Sequence, residues 1–373
     1  MQNGNLRLID WIRSRMSEGP HKAISFKDYM KECLYHPEYG YYMSDKAKIG
    51  KDGDFYTSAS VGGIMGIMMA RLLSKLSRQW QGRPIDWVEW GGGEGQLAKQ
   101  ILDEVQQSNP GLYKQLTYIV VEKSRNHSQS QKERLAPHSS VVRFMDEEQW
   151  WREGSRKQTI ILSNELLDAF PVHRVRRFNG RVEEQWVYWD EGQERLASCW
   201  QPAADPRLVR YLKRENIHLS DGQTAEINLE ADDWIRLQAA RLEEGSLVTV
   251  DYGDLAEELY SPHRMNGTLM CYRNHAAMDQ PLEYPGEQDL TAHVNFTACI
   301  RAGVEEGIEE WNLMTQKQFL VEQGILELLQ NHSGSDPFGP EARRNRAVRQ
   351  LLLSDQMSEL FKVLIQTKKG DRN

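Results

Sequence analysis

The run Trp87-Val88-Glu89-Trp90-Gly91-Gly92-Gly93-Glu94-Gly95-Gln96-Leu97 reads as a strand, an acid, a glycine turn and the start of a helix. Gly91, Gly93 and Gly95 recur at every second position. Glycine has no Cβ, so the turn can reach positive φ and let a ligand approach the backbone closely. The helix that follows presents unpaired N–H groups in its first turn. In an open parallel sheet, this strand-to-helix turn is where nucleotide-like ligands bind. Spacing narrows the ligand. The dinucleotide fingerprint G-x-G-x-x-G needs a third glycine where Gln96 stands. The phosphate loop G-x-x-x-x-G-K-[S/T] does not occur. Taken alone, the motif also fits a glycine-rich structural turn with no ligand.

Outward from the turn, strands and helices alternate as in an α/β fold. Ile85–Trp90 is the first strand, and Leu97, Ile101 and Val105 mark a helix. Thr117–Val121 is a second strand ending at Glu122, and Val141–Phe144 a third ending near Asp146. Thr159–Leu162 is a fourth, running into Ser163-Asn164-Glu165-Leu166-Leu167-Asp168, and Leu247–Val250 a fifth, ending at Asp251. Before the glycine turn, residues 1–36 read as two short helices, with Ser25 as a cap of the second. Ile64, Met68, Leu72 and Leu76 form a buried helix face. Residues 172–200 read as antiparallel strands joined at Asn179-Gly180. Helical spacing returns at Trp234, Leu237 and Leu242. An irregular glycine/proline segment spans 262–290, helices are expected from there to the C-terminus, and 331–340 reads as a loop.

At 373 residues the chain can form one large or two smaller domains, and 39% hydrophobic with 27% charged residues is ordinary globular composition. The net charge of −8 disfavours nucleic acid as a partner. The four cysteines form no C-x-x-C pair and no His/Cys cluster has zinc spacing, so free thiols and no metal are expected. Residues 1–19 lack the apolar core of a signal peptide and the acid-poor character of a transit peptide. No run approaches the roughly 18 apolar residues of a membrane span. The expectation is a cytoplasmic protein with no membrane partner.

The pattern Glu89-x-Gly91-x-Gly93-x-Gly95 resembles the first motif of class I S-adenosylmethionine-dependent methyltransferases. That cofactor carries no phosphate, so no lysine is needed. An acid closes strand after strand: Glu89, Glu122, Asp146, Glu165 with Asp168, and Asp251. Any one of them can be a helix cap or a loop residue; five behaving alike point to a ligand. Glu122 can accept both ribose hydroxyls of an adenosyl group, and such charge-assisted bonds are each worth roughly 1.5–3 kcal/mol. Asp146 can accept from the adenine amino group.

Further motifs follow in order: Gly53-Asp54-Phe55-x-Thr57-Ser58, the glycine turn, Ser163-Asn164-Glu165-x-x-Asp168-Ala169-x-Pro171-Val172 and Asp251-Tyr252-Gly253. Pro285-Gly286-x-x-Asp289-Leu290-Thr291-Ala292-His293-Val294 and Thr315-Gln316-x-x-Phe319-Leu320 complete the set. Together they resemble the MidA family of methyltransferases, from about Ile24 to Lys362. Mitochondrial members of that family are protein arginine methyltransferases acting in complex I assembly. The family usually has leucine and proline where this chain has Trp90 and Gly92, and proline where it has Ala59.

The resemblance implies a seven-strand class I sheet, parallel apart from one antiparallel edge. It implies an N-terminal helical and lid segment over 1–83 and a methyltransferase domain over 84–373, with cap inserts at about 172–235 and 255–345. The implied cofactor is S-adenosyl-L-methionine, held by Glu89, Gly91, Gly93, Gly95, Glu122 and Asp146, with Asp54 and Thr57 folding over it. The implied reaction is methyl transfer to a protein side chain, arginine foremost. A guanidinium keeps its charge, so acids must hold it, and Glu165 and Asp168 are the candidates. Tyr35, Tyr39, Tyr41 and Tyr42 can line a cleft for a cation or simply pack a subdomain. His293 can take a proton or be structural. The expected partner is a protein substrate, and a homodimer is compatible with these features. The alternative from another class is a cofactor-binding assembly protein with weak or no catalysis.

Overall fold

A two-residue strand, Val294–Asn295, pairs off the row, and seven strands in a row form the central sheet of the computed structural model, which describes residues 2–44, 63–80, 82–274, 276–330, 339–353 and 359–370. In chain order they are β1 (Ile85–Trp90), β2 (Leu116–Val121), β3 (Val142–Met145), β4 (Thr159–Asn164), β5 (Gly245–Asp254), β6 (Glu310–Thr315) and β7 (Phe361–Lys368). Their spatial order is β6-β7-β5-β4-β1-β2-β3. Strands β3, β2, β1, β4 and β5 are all parallel. They read as near-continuous apolar runs because a parallel sheet is covered on both faces. The chain moves outward one way from β1 through β2 to β3, then returns to place β4 on the other side of β1. The C-terminal ends of β1 and β4 therefore flank the topological switch point, where open α/β sheets bind ligands.

The first five strands lie within four residues of the ends read from the sequence. Two expectations are corrected. The C-terminal third contains β6 and β7 as well as helices. In β6, Glu310, Trp311 and Asn312 are all exposed, so no alternation marks it as a strand. The reversed strand is β7, antiparallel to both β5 and β6, so it sits second from the edge rather than at it.

The chain forms two compact units. The sheet unit comprises Tyr56–Leu166, Arg236–Tyr252 and Gly303–Asn373. Its helix α1 (Ile64–Leu76) buries Met65, Met68, Leu72 and Leu73, and α2 (Gln96–Ser108) buries Leu97, Ala98, Ile101, Leu102 and Val105. These share one core with Trp87 and Tyr118. A third helix, α3 (Arg125–Arg134), follows β2.

The second unit gathers Met1–Phe55, Leu167–Ile235 and Gly253–Ala302. It has its own antiparallel sheet, ordered Ala23–Ser25, Arg181–Asp190, His173–Phe178, Thr224–Ile227, with Arg195–Pro202 also paired to Arg181–Asp190. Its core includes Leu8, Ile12, Phe26, Tyr29, Val187 and Leu290. The Ser25 cap is present, its Oγ accepting from the Asp28 N–H at 3.0 Å. The segment read as irregular holds three short paired strands, Met270–Arg273, Ala276–Met278 and Asp289–Thr291. Among the described residues no helix is long and apolar enough to cross a membrane.

Candidate functional site

The glycine turn follows β1 directly, with Gly91, Gly93 and Gly95 at φ of +63°, +52° and +78°. Those angles cost an L side chain strain, which is why glycine recurs there. A Cβ on Gly91 would also lie 2.7 Å from Leu166 Cδ1. The turn is anchored by the Gly91 N–H donating to Val121 O at 3.0 Å. Helix α2 starts at Gly95 with no side-chain cap on its first N–H groups.

Two carboxylates flank this turn. Glu89 is buried, and Tyr118 Oη donates to its Oε2 at 3.0 Å. A Cβ on Gly92 would meet that same carboxyl group at 2.8 Å, so Gly92 leaves room for Glu89 beneath the turn. Glu122, at the end of β2, accepts from the Ser124 N–H at 2.7 Å and from Gln131 Nε2 at 3.2 Å. Burial pushes the Glu89 carboxyl up to about 7, partly offset by the Tyr118 hydroxyl, with the charge of Glu122 adding to the rise. Burial also pushes Glu122 up to about 7, against the stabilising N–H of Ser124 and amide of Gln131.

At the end of β4, Glu165 adopts a left-handed backbone at φ +51°. Its N–H donates to Val250 O at 2.9 Å, and Asn164 Nδ2 donates to its Oε1 at 3.2 Å. Asp251 Oδ2 holds the next residue by accepting the Leu166 N–H at 3.2 Å. A non-glycine residue at positive φ is a form of strain found at functional sites. Ser163 Oγ and Asn164 Oδ1 are buried here with no hydrogen-bond partner among the described residues.

Asp168 belongs to the second unit and is buried. It caps no helix, because residues 165–171 contain none. Its carbonyl accepts the Ala292 N–H at 3.0 Å, and the next carbonyl, Ala169 O, accepts from Tyr35 Oη at 3.0 Å. Tyr35 stacks on Tyr42 at 5.6 Å, and Tyr42 Oη donates to the buried Asp289 Oδ1 at 2.7 Å. Tyr272 faces Asp289 across the strand pair. Its phenol is pushed up by burial, then by the charges of Asp168 and Asp289. Tyr35 and Tyr42 thus lie near acids, whereas Tyr39 stacks on His36 at 4.9 Å and Tyr41 is core.

The remaining candidates divide. Asp146 is exposed and forms a capping box with Gln149, accepting its N–H at 2.7 Å. His293 is half-buried and donates its N–H to Thr268 Oγ1 at 3.2 Å. Asp54 and Thr57 lie outside the described residues. Trp90 is buried against Trp150 and Trp151, with ring centroids 6.2 and 5.5 Å away, so its bulk is absorbed by packing. One residue escaped the sequence reading altogether: Gln131, fully buried, whose Nε2 also donates to Gly93 O at 2.7 Å. It sits in a helix with no apolar stripe, so no periodicity flags it.

A seven-strand sheet of this order, with a glycine turn and acids at its switch point, defines a class I methyltransferase. A family described as "Putative S-adenosyl-L-methionine-dependent methyltransferase" matches residues 65–312, and the chain belongs to that family, the MidA type its motifs resemble. A protein from Burkholderia thailandensis, solved bound to S-adenosyl-homocysteine, is similar with a TM-score of 0.86 and 29% identity, covering 98% of this chain and 93% of that one. The Danio rerio protein named arginine methyltransferase NDUFAF7, mitochondrial, is 26% identical over 96% of this chain and 86% of its own length. The Drosophila melanogaster homolog of the same name is 27% identical over 79% of this chain and 69% of its own. These relatives are mitochondrial proteins, which overturns the cytoplasmic expectation.

S-adenosylmethionine is the cofactor of this family, and the site fits it. Positive-φ glycines leave a surface without Cβ atoms, and the buried Glu122 is an acceptor of the kind a diol needs. Hydroxyl donors favour the ionised form of a carboxylate, so ligand binding should lower an acid poised near 7. Affinity for S-adenosylhomocysteine is then full above the free protein's pKa and falls as the pH drops through it. Titration calorimetry should show binding about tenfold weaker at pH 6 than at pH 8. A flat profile would mean that neither Glu89 nor Glu122 changes protonation on binding.

Proposed function

We propose that this protein transfers the methyl group of S-adenosylmethionine to arginine side chains of a protein substrate. The observation that carries the cofactor half is the pair of buried acids, Glu89 and Glu122, on either side of a turn whose three glycines all have positive φ. In this reading Gly91, Gly93 and Gly95 cradle the methionine end, with Glu89 beneath. Glu122 accepts the ribose hydroxyls, and Asp146 lies toward the adenine. The bound donor supplies a methyl group already activated by its sulfonium.

The acceptor half rests on charge. A guanidinium stays protonated at any working pH, so it needs anionic partners to orient one nitrogen and to lower the cost of leaving water. Glu165 and Asp168 take that role. The tyrosine rings near Asp168 and Asp289 suit a planar cation, which binds to aromatic faces. The relatives named as protein arginine methyltransferases support the same acceptor.

The test is transfer of a labelled methyl group to a lysate from cells lacking this protein, followed by hydrolysis to amino acids. Label is expected in methylated arginine. Label confined to lysine or to small molecules would refute the arginine assignment.

A further inference from the structure

Helix α3 is polar along its whole length, Arg-Asn-His-Ser-Gln-Ser-Gln-Lys-Glu-Arg, and its one buried residue is Gln131. A helix that buries a single amide does so for what the amide touches. Gln131 packs over the end of the glycine turn, where a Cβ on Gly95 would lie 3.2 Å from its Cγ. Its Nε2 spans two elements, donating to Gly93 O at 2.7 Å and to Glu122 Oε2 at 3.2 Å. Both partners are acceptors, so the nitrogen must face them, and the amide orientation follows from chemistry. That leaves Oε1 buried with no hydrogen-bond partner among the described residues. Buried polar atoms are rarely left unpaired, because each costs roughly 1–3 kcal/mol.

We propose that Gln131 is a second sugar-site residue: it clamps the Glu122 carboxylate to the glycine turn, and its Oε1 accepts one of the two ribose hydroxyls. The inference rests on Glu122 being the ribose acceptor. A vicinal diol offers two donors, and the acid and the amide offer two kinds of acceptor side by side. The donating amide also favours the ionised form of Glu122, which burial opposes. Gln131 thus acts on both the shape and the charge of the sugar site.

The experiment measures binding of S-adenosylhomocysteine and of its 2′-deoxy and 3′-deoxy counterparts, across pH, to wild type and to Gln131→Met. Methionine keeps the volume and removes both amide functions. Wild type should lose about tenfold in affinity with either deoxy ligand. In Gln131→Met, one of the two penalties should vanish and the other persist, while the pH midpoint of binding moves upward. Equal weakening toward all three ligands, with an unmoved midpoint, would reduce Gln131 to packing and overturn the proposal. So would an unchanged affinity profile. If wild type does not bind S-adenosylhomocysteine, the donor-site reading itself fails, which is a separate result. Should Gln131→Met melt early, Gln131→Glu keeps the length and adds a charge beside Glu122. It should raise the midpoint further, and an unmoved midpoint would again overturn the proposal.

Discussion

Glu122→Ala is expected to weaken S-adenosylhomocysteine binding by about a hundredfold at pH 8. The carboxylate offers charge-assisted bonds to two hydroxyls, each worth roughly 1.5–3 kcal/mol, of which part is spent on ionising a buried acid. That acid sits near 7 in the ligand-free protein, so at pH 6 it is mostly protonated and the mutational loss should shrink to about tenfold. Calorimetry on both proteins at the two pH values checks the size and its pH dependence together. The truncation removes an acceptor for Ser124 and Gln131, so α3 should loosen at its start. Glu122→Gln controls for that by keeping an acceptor at similar volume. Affinities within threefold of wild type for both variants would take the ribose away from Glu122.

Asp168→Asn and Glu165→Gln are expected to lower kcat by about a hundredfold or more while leaving cofactor affinity within threefold, the usual cost of losing one charged contact made in the transition state. The substitutions keep shape and hydrogen-bonding capacity, so the loss reports charge. Asp168 lies in a buried setting with Asp289, Tyr42 and Tyr272, where an acid-to-amide change removes half of a locally anionic floor. Glu165 carries the left-handed backbone at the end of β4, and its side chain is held by Asn164. Single-turnover methyl transfer with saturating cofactor separates the two quantities. Variants that bind cofactor poorly yet turn over normally once saturated would move these residues from the acceptor to the donor.

The first five strands of the sheet were legible because a parallel strand buried on both faces is a short unbroken apolar run, and Ile119-Val120-Val121 or Ile160-Ile161-Leu162 have no competing reading. The glycine turn was legible because its backbone angles exclude side chains. Strands β6 and β7 were not, since β6 pairs with β7 well over forty residues further on, and β7 also with β5 more than a hundred residues back. Asp146 forms a capping box, a local role open to any acid before a helix, so its place in the sequence does not by itself separate a cap from a ligand contact. Trp90, where the family usually has leucine, is packed against Trp150 and Trp151, because successive strand residues point to opposite faces.

Local chemistry therefore set the strand-turn-helix unit, its acids and its cofactor class, since backbone sterics and buried apolar runs act over a few residues. Tertiary structure alone decided that the N-terminal segment and the middle inserts share one sheet and core, that β7 enters reversed between β5 and β6, and that a lone glutamine joins the glycine turn to Glu122. Most of those contacts join residues distant in sequence. Whether a polar side chain is buried, and beside what, is a property of packing that no spacing along the chain encodes.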